Sequence, residues 1–100
     1  MIRHIVMWKF AEFAENCSKE DNILKTEKSL YALLPFIKEI KSMEIGKNIN
    51  QCEMAFDMVL TCDFDSFDDL CKYQEHTEHK KVSEFVKKVR TDRAIVDYEI

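Results

Sequence analysis

The sequence predicts an α+β fold in which strands and helices follow one another in the order β-α-β-β-α-β. Stretches with two-residue apolar alternation stand at both ends and in the middle of the chain, and stretches with helical spacing separate them. A single Gly and a single Pro leave no room for a flexible linker. With 100 residues, the chain is therefore expected to form one domain spanning 1–100.

The first predicted strand is "IRHIVMWKF", residues 2–10, which is rich in β-branched and aromatic residues. Alternation places His4, Val6 and Trp8 on one face and Ile5 and Met7 on the other. Both faces are apolar in the middle of the strand. Such a strand needs cover on each side.

The first predicted helix is "SKEDNILKTEKSLYALL", residues 18–34. Ser18 followed three residues later by Asp21 is typical of a helix start. Pro35 ends the helix, because the residue before a proline is pushed out of the helical region. The stripe predicted to face the sheet contains Ile23, Glu27, Leu30 and Leu34.

Two further strands are predicted in "IKSMEIGKNI", residues 40–49, and "AFDMVLTCDF", residues 55–64. The second helical region, 65–89, opens at Ser66, and "RAIVDYEI", residues 93–100, closes the chain as a fourth strand. This order is that of ferredoxin-like folds. Right-handed crossovers place both helical regions on one face of a four-stranded antiparallel sheet.

Composition argues against several function classes. The net charge of −4 and the pI near 5.4 disfavour nucleic acid and anionic membranes as partners. No apolar run is long enough to span a bilayer, and charges interrupt the first ten residues, which makes a poor signal peptide. We therefore expect a cytoplasmic protein. No pair of cysteines has CxxC spacing, so reduced, mostly structural thiols are expected at Cys17, Cys52, Cys62 and Cys71.

The apolar outer face of the sheet predicts a homodimer. If His4, Val6 and Trp8 face the helices, Ile5 and Met7 face outward and would be exposed in a monomer. A second copy related by a two-fold axis covers them most simply. The predicted architecture is thus a ferredoxin-like protomer that pairs through its outer sheet face into an α/β barrel.

Four stretches, in this order and spacing, resemble the stress-responsive dimeric α/β-barrel (Dabb) family. They are "IRHIVMWKF" at the start, "IKSMEIGKN" in the second strand, "YQEHTEH" in the second helical region and "AIVDYEI" at the end. The resemblance runs from residue 2 to residue 100. It implies two ferredoxin-like protomers packed sheet against sheet, with the helices outside.

The resemblance also implies a site. One plant branch of the family comprises polyketide cyclases, which catalyse intramolecular aldol condensation and carry Y-x-x-H-x-x-H. That pattern corresponds here to Tyr73, His76 and His79. It implies His79 as acid/base, Tyr73 as its partner and His4 as a pocket residue. Thr77 stands where family members usually have Pro.

From residue type and spacing alone, each of these side chains has two interpretations. His79 lies three residues before Val82 on an apolar helical stripe, so it points inward as either an acid/base or a satisfied core histidine. His76 turns partly away and is either a ligand-binding residue or a cap for a second helical segment. Trp8 either lines the pocket or belongs to the core.

No metal or cofactor is predicted. "HTEH" differs from HExxH, because its histidines are three apart with the glutamate between them, so the geometry of a zinc protease fails. Lys80, Lys81, Lys87, Lys88 and Arg90 form a basic run that acidic neighbours offset, which indicates a solvated helix face.

Two functional hypotheses follow. The first is a protein that binds a small apolar or polyketide-like ligand between sheet and helices, either as a binding protein or as a cofactor-independent cyclase, lyase or isomerase using His79. The second is a non-catalytic, stress-associated dimer. A cavity on which His4, Tyr73 and His79 converge favours the first, whereas a space filled by core side chains favours the second.

Overall fold

A computed structural model describes residues 1–100 and contains a main sheet with three helices on one of its faces. None of the helices is long and apolar enough to cross a membrane. The elements in chain order are β1 (Ile2–Phe10), β2 (Phe13–Ala14), β3 (Cys17–Ser18), α1 (Lys19–Tyr31), β4 (Ser42–Lys47), β5 (Met58–Phe64), α2 (Phe67–Glu75), α3 (Thr77–Val89) and β6 (Arg90–Glu99).

The main sheet confirms the predicted ferredoxin-like topology. Its strand order is β4-β5-β1-β6, and every pair is antiparallel. Strand β1 is central, with Trp8 opposite Met58 of β5 and opposite Arg93 of β6. The sequence did not predict the small β2–β3 hairpin that precedes α1.

The inner face of the sheet forms the core with the helices, as the alternation in β1 predicts. His4, Val6, Trp8 and Phe10 are buried, whereas the residues between them are only partly covered. Burial of apolar area contributes about 25 cal/mol per Å², so this face is the main source of stability. The apolar core consists of Val6, Trp8, Phe10, Leu30, Leu33, Ile37, Met58, Leu60, Cys62, Phe64, Leu70, Tyr73, Val86 and Val89.

The buried stripe of α1 differs from the prediction. Asn22 and Thr26 are fully buried with Leu30, whereas Leu34 lies beyond the helix end and is 43% exposed. The Asn22 amide nitrogen donates to the Ala14 carbonyl at 3.0 Å, and the Thr26 hydroxyl donates to the Asn22 backbone carbonyl at 2.8 Å. The Oδ1 atom of Asn22 is buried without a hydrogen-bond partner. Apolar periodicity alone misses such a pair.

The second helical region consists of two helices that meet at His76. This residue has an extended conformation, with φ −63° and ψ 136°, and its Nδ1 atom accepts a hydrogen bond from the Glu78 amide at 3.1 Å. It therefore caps the N-terminus of α3, which is one of its two predicted roles. Thr77 is the first helical residue after this cap. The helix break thus forms without a proline at position 77.

The outer face of the sheet carries an apolar patch. Ile5 and Met7 of β1, Val59 of β5 and Val96 of β6 are neighbours on this face, away from the helices. Val96 is 52% exposed. Ile5, Met7 and Val59 are partly exposed, and none of the helices packs on this face.

All four cysteines are free. Cys62 is fully buried in β5, and burial raises the pKa of its thiol to about 12. It therefore remains a protonated thiol that packs as a small apolar side chain, which agrees with the structural role predicted for it.

Candidate functional site

A cavity of about 230 Å³ lies between the inner face of the sheet and the helices α2 and α3. At about 30 Å³ for each water, it has room for about eight waters or for a ligand with a similar number of non-hydrogen atoms. Half of its fourteen lining residues are hydrophobic, among them Val6, Trp8, Leu60, Val82 and Val86. It is thus an apolar space with a few polar groups.

Three of the predicted site residues, His4, Tyr73 and His79, line this cavity together. The Tyr73 ring lies 4.4 Å from the His79 ring and 6.1 Å from the His4 ring, measured between centroids. Strand β1 supplies His4, α2 supplies Tyr73 and α3 supplies His79. The break between α2 and α3 places two helix segments around one cavity. The predicted convergence of a strand histidine with a helix histidine is present.

His4 is held by a residue that the sequence analysis missed. Its ring is 2% exposed, and its Nδ1 atom lies 2.5 Å from Oδ1 of Asp97. Burial lowers the pKa of His4 below its usual value, although the Asp97 carboxylate opposes this shift. The contact is thus a hydrogen bond from a neutral ring, in which Nδ1–H donates to Asp97 and Nε2 keeps its lone pair. His4 and Asp97 are opposite each other in the β1–β6 register.

His79 differs from His4 because its buried Nδ1 atom makes no hydrogen bond of ordinary geometry, although the Gln74 backbone lies close enough to affect the pKa of the ring. Burial lowers its pKa to about 4; the Gln74 backbone opposes the shift, and the nearby His4 and Arg93 add to it. The ring is therefore uncharged at neutral pH. Because Nδ1 is inaccessible, Nε2 is the nitrogen left to meet a ligand.

Tyr73 supplies a neutral hydroxyl to the same site. Its side chain is 1% exposed, and burial raises the pKa of its phenol above the ordinary range. The hydroxyl therefore keeps its proton at any physiological pH. A protonated phenol in an apolar cavity can donate a hydrogen bond to a carbonyl or alkoxide oxygen.

Of the two remaining predicted residues, Trp8 lines the cavity and His76 does not. Trp8 is 6% exposed and belongs both to the core and to the cavity lining. His76 does not line the cavity, because its ring caps α3.

Three cationic residues also line the cavity: Lys87, Arg90 and Arg93. Lys87 and Arg90 belong to the basic run predicted to form a solvated helix face, so that prediction misses their position at the cavity. Lys87 and Arg93 are exposed, which shows that the cavity reaches the surface on this side. No group of three or more His, Cys, Asp or Glu side chains is arranged to hold a metal ion.

The sequence model described as "Stress responsive A/B Barrel Domain" (Dabb) matches residues 2–100. The chain belongs to the Dabb family. This Dabb protein has the fold and the extent that the four resembling stretches predict. No curated protein is similar enough to match the chain.

Solved structures similar to this Dabb protein include dimeric proteins of unknown function and a hydroxynitrile lyase. A dimeric ferredoxin-like protein of unknown function from Bacteroides fragilis NCTC 9343 is 27% identical, with a TM-score of 0.81 and coverage of 99% of this chain and 95% of that one. A dimeric ferredoxin-like protein from Thermobifida fusca is 22% identical (TM-score 0.83, coverage 99% and 90%). The hydroxynitrile lyase of Passiflora edulis is 16% identical (TM-score 0.83, coverage 99% and 92%).

Proposed function

We propose that this Dabb protein binds a small, largely apolar ligand with a carbonyl group in the cavity between sheet and helices, and that His79 moves a proton on that ligand without a cofactor. The observation that carries the proposal is the convergence of His79, Tyr73 and His4 on one unfilled cavity. In addition, the buried Nδ1 atom of His79 makes no hydrogen bond of ordinary geometry. A merely structural histidine is normally hydrogen-bonded.

The chemistry follows from the two neutral groups. The Tyr73 hydroxyl donates a hydrogen bond to the ligand carbonyl, and His79 Nε2 takes a proton from the carbon next to that carbonyl. The electron pair of the broken C–H bond forms an enolate. When the enolate carbon attacks a second carbonyl of the same ligand, the imidazolium returns the proton to the new alkoxide. Atoms and charges balance without another reactant.

The low pKa of His79 is compatible with this step. In the cavity without ligand, a pKa of about 4 keeps the imidazole unprotonated and able to accept. As negative charge develops on the ligand oxygen, the charged form of the nearby imidazole becomes more stable, so its pKa rises. The base is thus strengthened at the moment of transfer.

The side chains around the cavity also favour ligand binding over a purely structural role. A filled space would have argued for a non-catalytic dimer. Instead, Trp8 forms one wall of the cavity, while Phe64, which packs on Tyr73 with 5.1 Å between ring centroids, does not line it. The same proton transfer to and from oxygen would also serve a lyase, which is the activity named for the Passiflora edulis neighbour.

Binding of 2,4-hexanedione, followed through the histidine ring protons by NMR, tests the proposal. We expect shifts at His79 and a His79→Ala variant that stays folded but no longer binds. The matched control is His76→Asn, which removes a histidine outside the cavity while asparagine can still cap α3. An unperturbed His79 in the presence of ligand would rule out the pocket.

Catalysis is tested separately by deuterium incorporation next to the carbonyl of 2-hexanone in D₂O. We expect a protein-dependent rate that His79→Ala abolishes and His76→Asn keeps. Binding of the dione without protein-dependent exchange would instead assign the non-catalytic role.

We also infer a homodimer that pairs through the outer sheet face. The apolar patch of Ile5, Met7, Val59 and Val96 supports it, as does the dimeric state named for the relatives from Bacteroides fragilis and Thermobifida fusca. Met7→Glu is expected to weaken association in sedimentation experiments, whereas Phe67→Glu, at an exposed helix start, is not. A stable folded monomer of the natural chain at micromolar concentration would contradict the inference. The cytoplasmic location stays a prediction.

A further inference from the structure

We propose that the mouth of the cavity is an anion subsite in which Arg93, assisted by Arg90, binds a carboxylate on the ligand. This inference rests on the proposed function and narrows it to one substrate class: small keto acids with the ketone toward His79 and Tyr73 and the carboxylate toward the arginines.

The charge of the cavity lining is opposite to that of the whole chain. The protein has 19 acidic and 15 basic residues, yet the cavity is lined by Lys87, Arg90 and Arg93 and by no Asp or Glu. Asp97, which is hydrogen-bonded to His4, is not among the lining residues. Lys87 has Glu84 nearby, so the positive charge without an acidic partner is that of Arg90 and Arg93, and it favours an anion.

Neither of the two arginines has an acidic partner. The remaining arginine of the chain, Arg3, makes a two-pronged salt bridge with Asp63, at 2.9 and 3.0 Å. The guanidinium groups of Arg90 and Arg93 make no salt bridge or hydrogen bond, and at Arg93 it is the backbone amide that donates, to Asp92. A guanidinium matches a carboxylate with two parallel hydrogen bonds. Two such groups at the mouth of one cavity therefore leave their donors free for a ligand.

A β-bulge brings both arginines to the same face. Residues three apart in a regular strand point to opposite faces. Here the register shifts, so that Trp8 pairs with Arg93 while Phe10 pairs with Arg90, and Thr91 is the extra residue. Because Trp8 and Phe10 both face the helices, Arg90 and Arg93 do so as well. Bulges often re-aim side chains next to functional sites.

Helix stabilisation does not account for Arg93. Lys87 lies in the last turn of α3, where a positive charge stabilises the helix end, and its Nζ atom is 3.8 Å from Glu84. Arg90 directly follows that helix and gains some of the same benefit. Arg93 lies three residues farther along β6, beyond the last turn of the helix, and it lines the cavity. Its positive charge acts on the side chains in the cavity. It adds to the lowering of the pKa values of His4 and His79 and opposes the rise in the pKa of Tyr73 that burial causes.

The subsite lies at the edge of an apolar space, which sets the ligand class. Val6, Leu60, Val82 and Val86 line the same cavity, so the anion belongs to a molecule with a short hydrocarbon part. The cavity opens on the helix side of the sheet, opposite the patch proposed to bind the second copy. Dimer formation therefore leaves the subsite accessible.

The test compares 3-oxohexanoate with 3-oxohexanamide, which keep the same shape and ketone and differ in charge. Calorimetry is expected to give an affinity for the acid about tenfold or more above that for the amide. Added salt is expected to weaken binding of the acid and leave the amide unchanged. Arg93→Gln is expected to remove the preference, whereas Lys88→Gln, an equal charge loss at an exposed residue outside the cavity, keeps it.

The outcomes separate the subsite from the proposed function. Equal affinities for acid and amide, with His79 signals shifting in both cases, overturn the anion subsite and leave the proposed function standing. No shift of His79 with either ligand overturns both. A preference for the acid that survives Arg93→Gln also overturns the subsite as assigned.

Discussion

The two walls of the cavity hold their histidines in opposite ways. On the strand wall, His4 is 2% exposed and its Nδ1 atom is bonded to Asp97, the residue opposite it on the neighbouring strand. On the helix wall, His79 is partly exposed, but its Nδ1 atom is hidden from solvent and makes no hydrogen bond of ordinary geometry. The same side chain is thus satisfied in one wall and unsatisfied in the other.

The difference shows where the fold is optimised for stability and where it is not. A buried polar group without a partner costs about 1 to 3 kcal/mol, a large fraction of the stability of a small domain. The strand wall avoids this cost through its register. The helix wall keeps it at the residue that packs against Tyr73, where the other ring nitrogen, Nε2, is the one left to contact a ligand.

The largest expected effect comes from removing the hydrogen-bond partner of His4, which leaves the strand wall with an unsatisfied histidine as well. Asp97→Ala removes the acceptor of His4 Nδ1–H and is expected to lower the free energy of unfolding by about 1 to 3 kcal/mol. Glu99→Ala, an exposed carboxylate on the same strand, is the control and is expected to change it by less than about 0.5 kcal/mol. Urea denaturation measures both. Equal effects of the two variants would mean that Asp97 does not hold His4.

The converse change removes the unsatisfied group from the helix wall. His79→Leu is expected to raise the free energy of unfolding by about 1 kcal/mol, because an apolar side chain needs no hydrogen-bond partner. His4→Leu is the matched comparison and is expected to lower it, since it separates a satisfied pair. A loss of stability in His79→Leu would contradict the unsatisfied state of the natural residue.

His79→Leu also has a pH signature. In the unfolded chain a histidine takes up its proton near pH 6.5, whereas folded His79 does so near pH 4. Between these values the unfolded state binds more protons, so the natural protein loses stability as the pH falls through that window. His79→Leu is expected to lose most of the slope that this residue contributes. An unchanged slope would show that another group causes it.

A smaller effect is expected at the helix break that orients the helix wall. Thr77→Pro is expected to stabilise the fold by about 0.4 to 1 kcal/mol, because position 77 is the first residue of α3 and His76 before it is already extended. Lys80→Pro is the control and is expected to cost about 3 kcal/mol, since the Lys80 amide donates to the His76 carbonyl. Thermal unfolding distinguishes them. Destabilisation by Thr77→Pro would show a different geometry at the break.

Local patterns predict the strand wall better than the helix wall. Two-residue alternation places His4 and Trp8 on the inner face, and helical spacing turns His79 inward. The partner of His4 depends on how β1 and β6 are aligned, which no local pattern carries. Likewise, Arg93 shares a face with Arg90 only because of the bulge at Thr91.

Some signals were present in the sequence but had two interpretations. His76 as a cap competed with His76 as a ligand-binding residue, and only the backbone conformation at the helix break separates them. Asn22 and Thr26 were absent from the predicted stripe of α1, because apolar spacing does not mark buried polar residues. The Asn22 amide nitrogen finds its partner at Ala14 in the β2–β3 hairpin, whereas the Thr26 hydroxyl bonds to the Asn22 carbonyl within the helix.

The most direct test of the account is an NMR titration of the His79 ring in the free protein and in the presence of 3-oxohexanoate. We expect a pKa near 4 in the free protein, because the buried ring lacks a partner, and a higher pKa once the anionic ligand lies beside it. A pKa near 6.5 that the ligand leaves unchanged would mean that His79 is an ordinary solvated histidine and that the cavity is not its site of action.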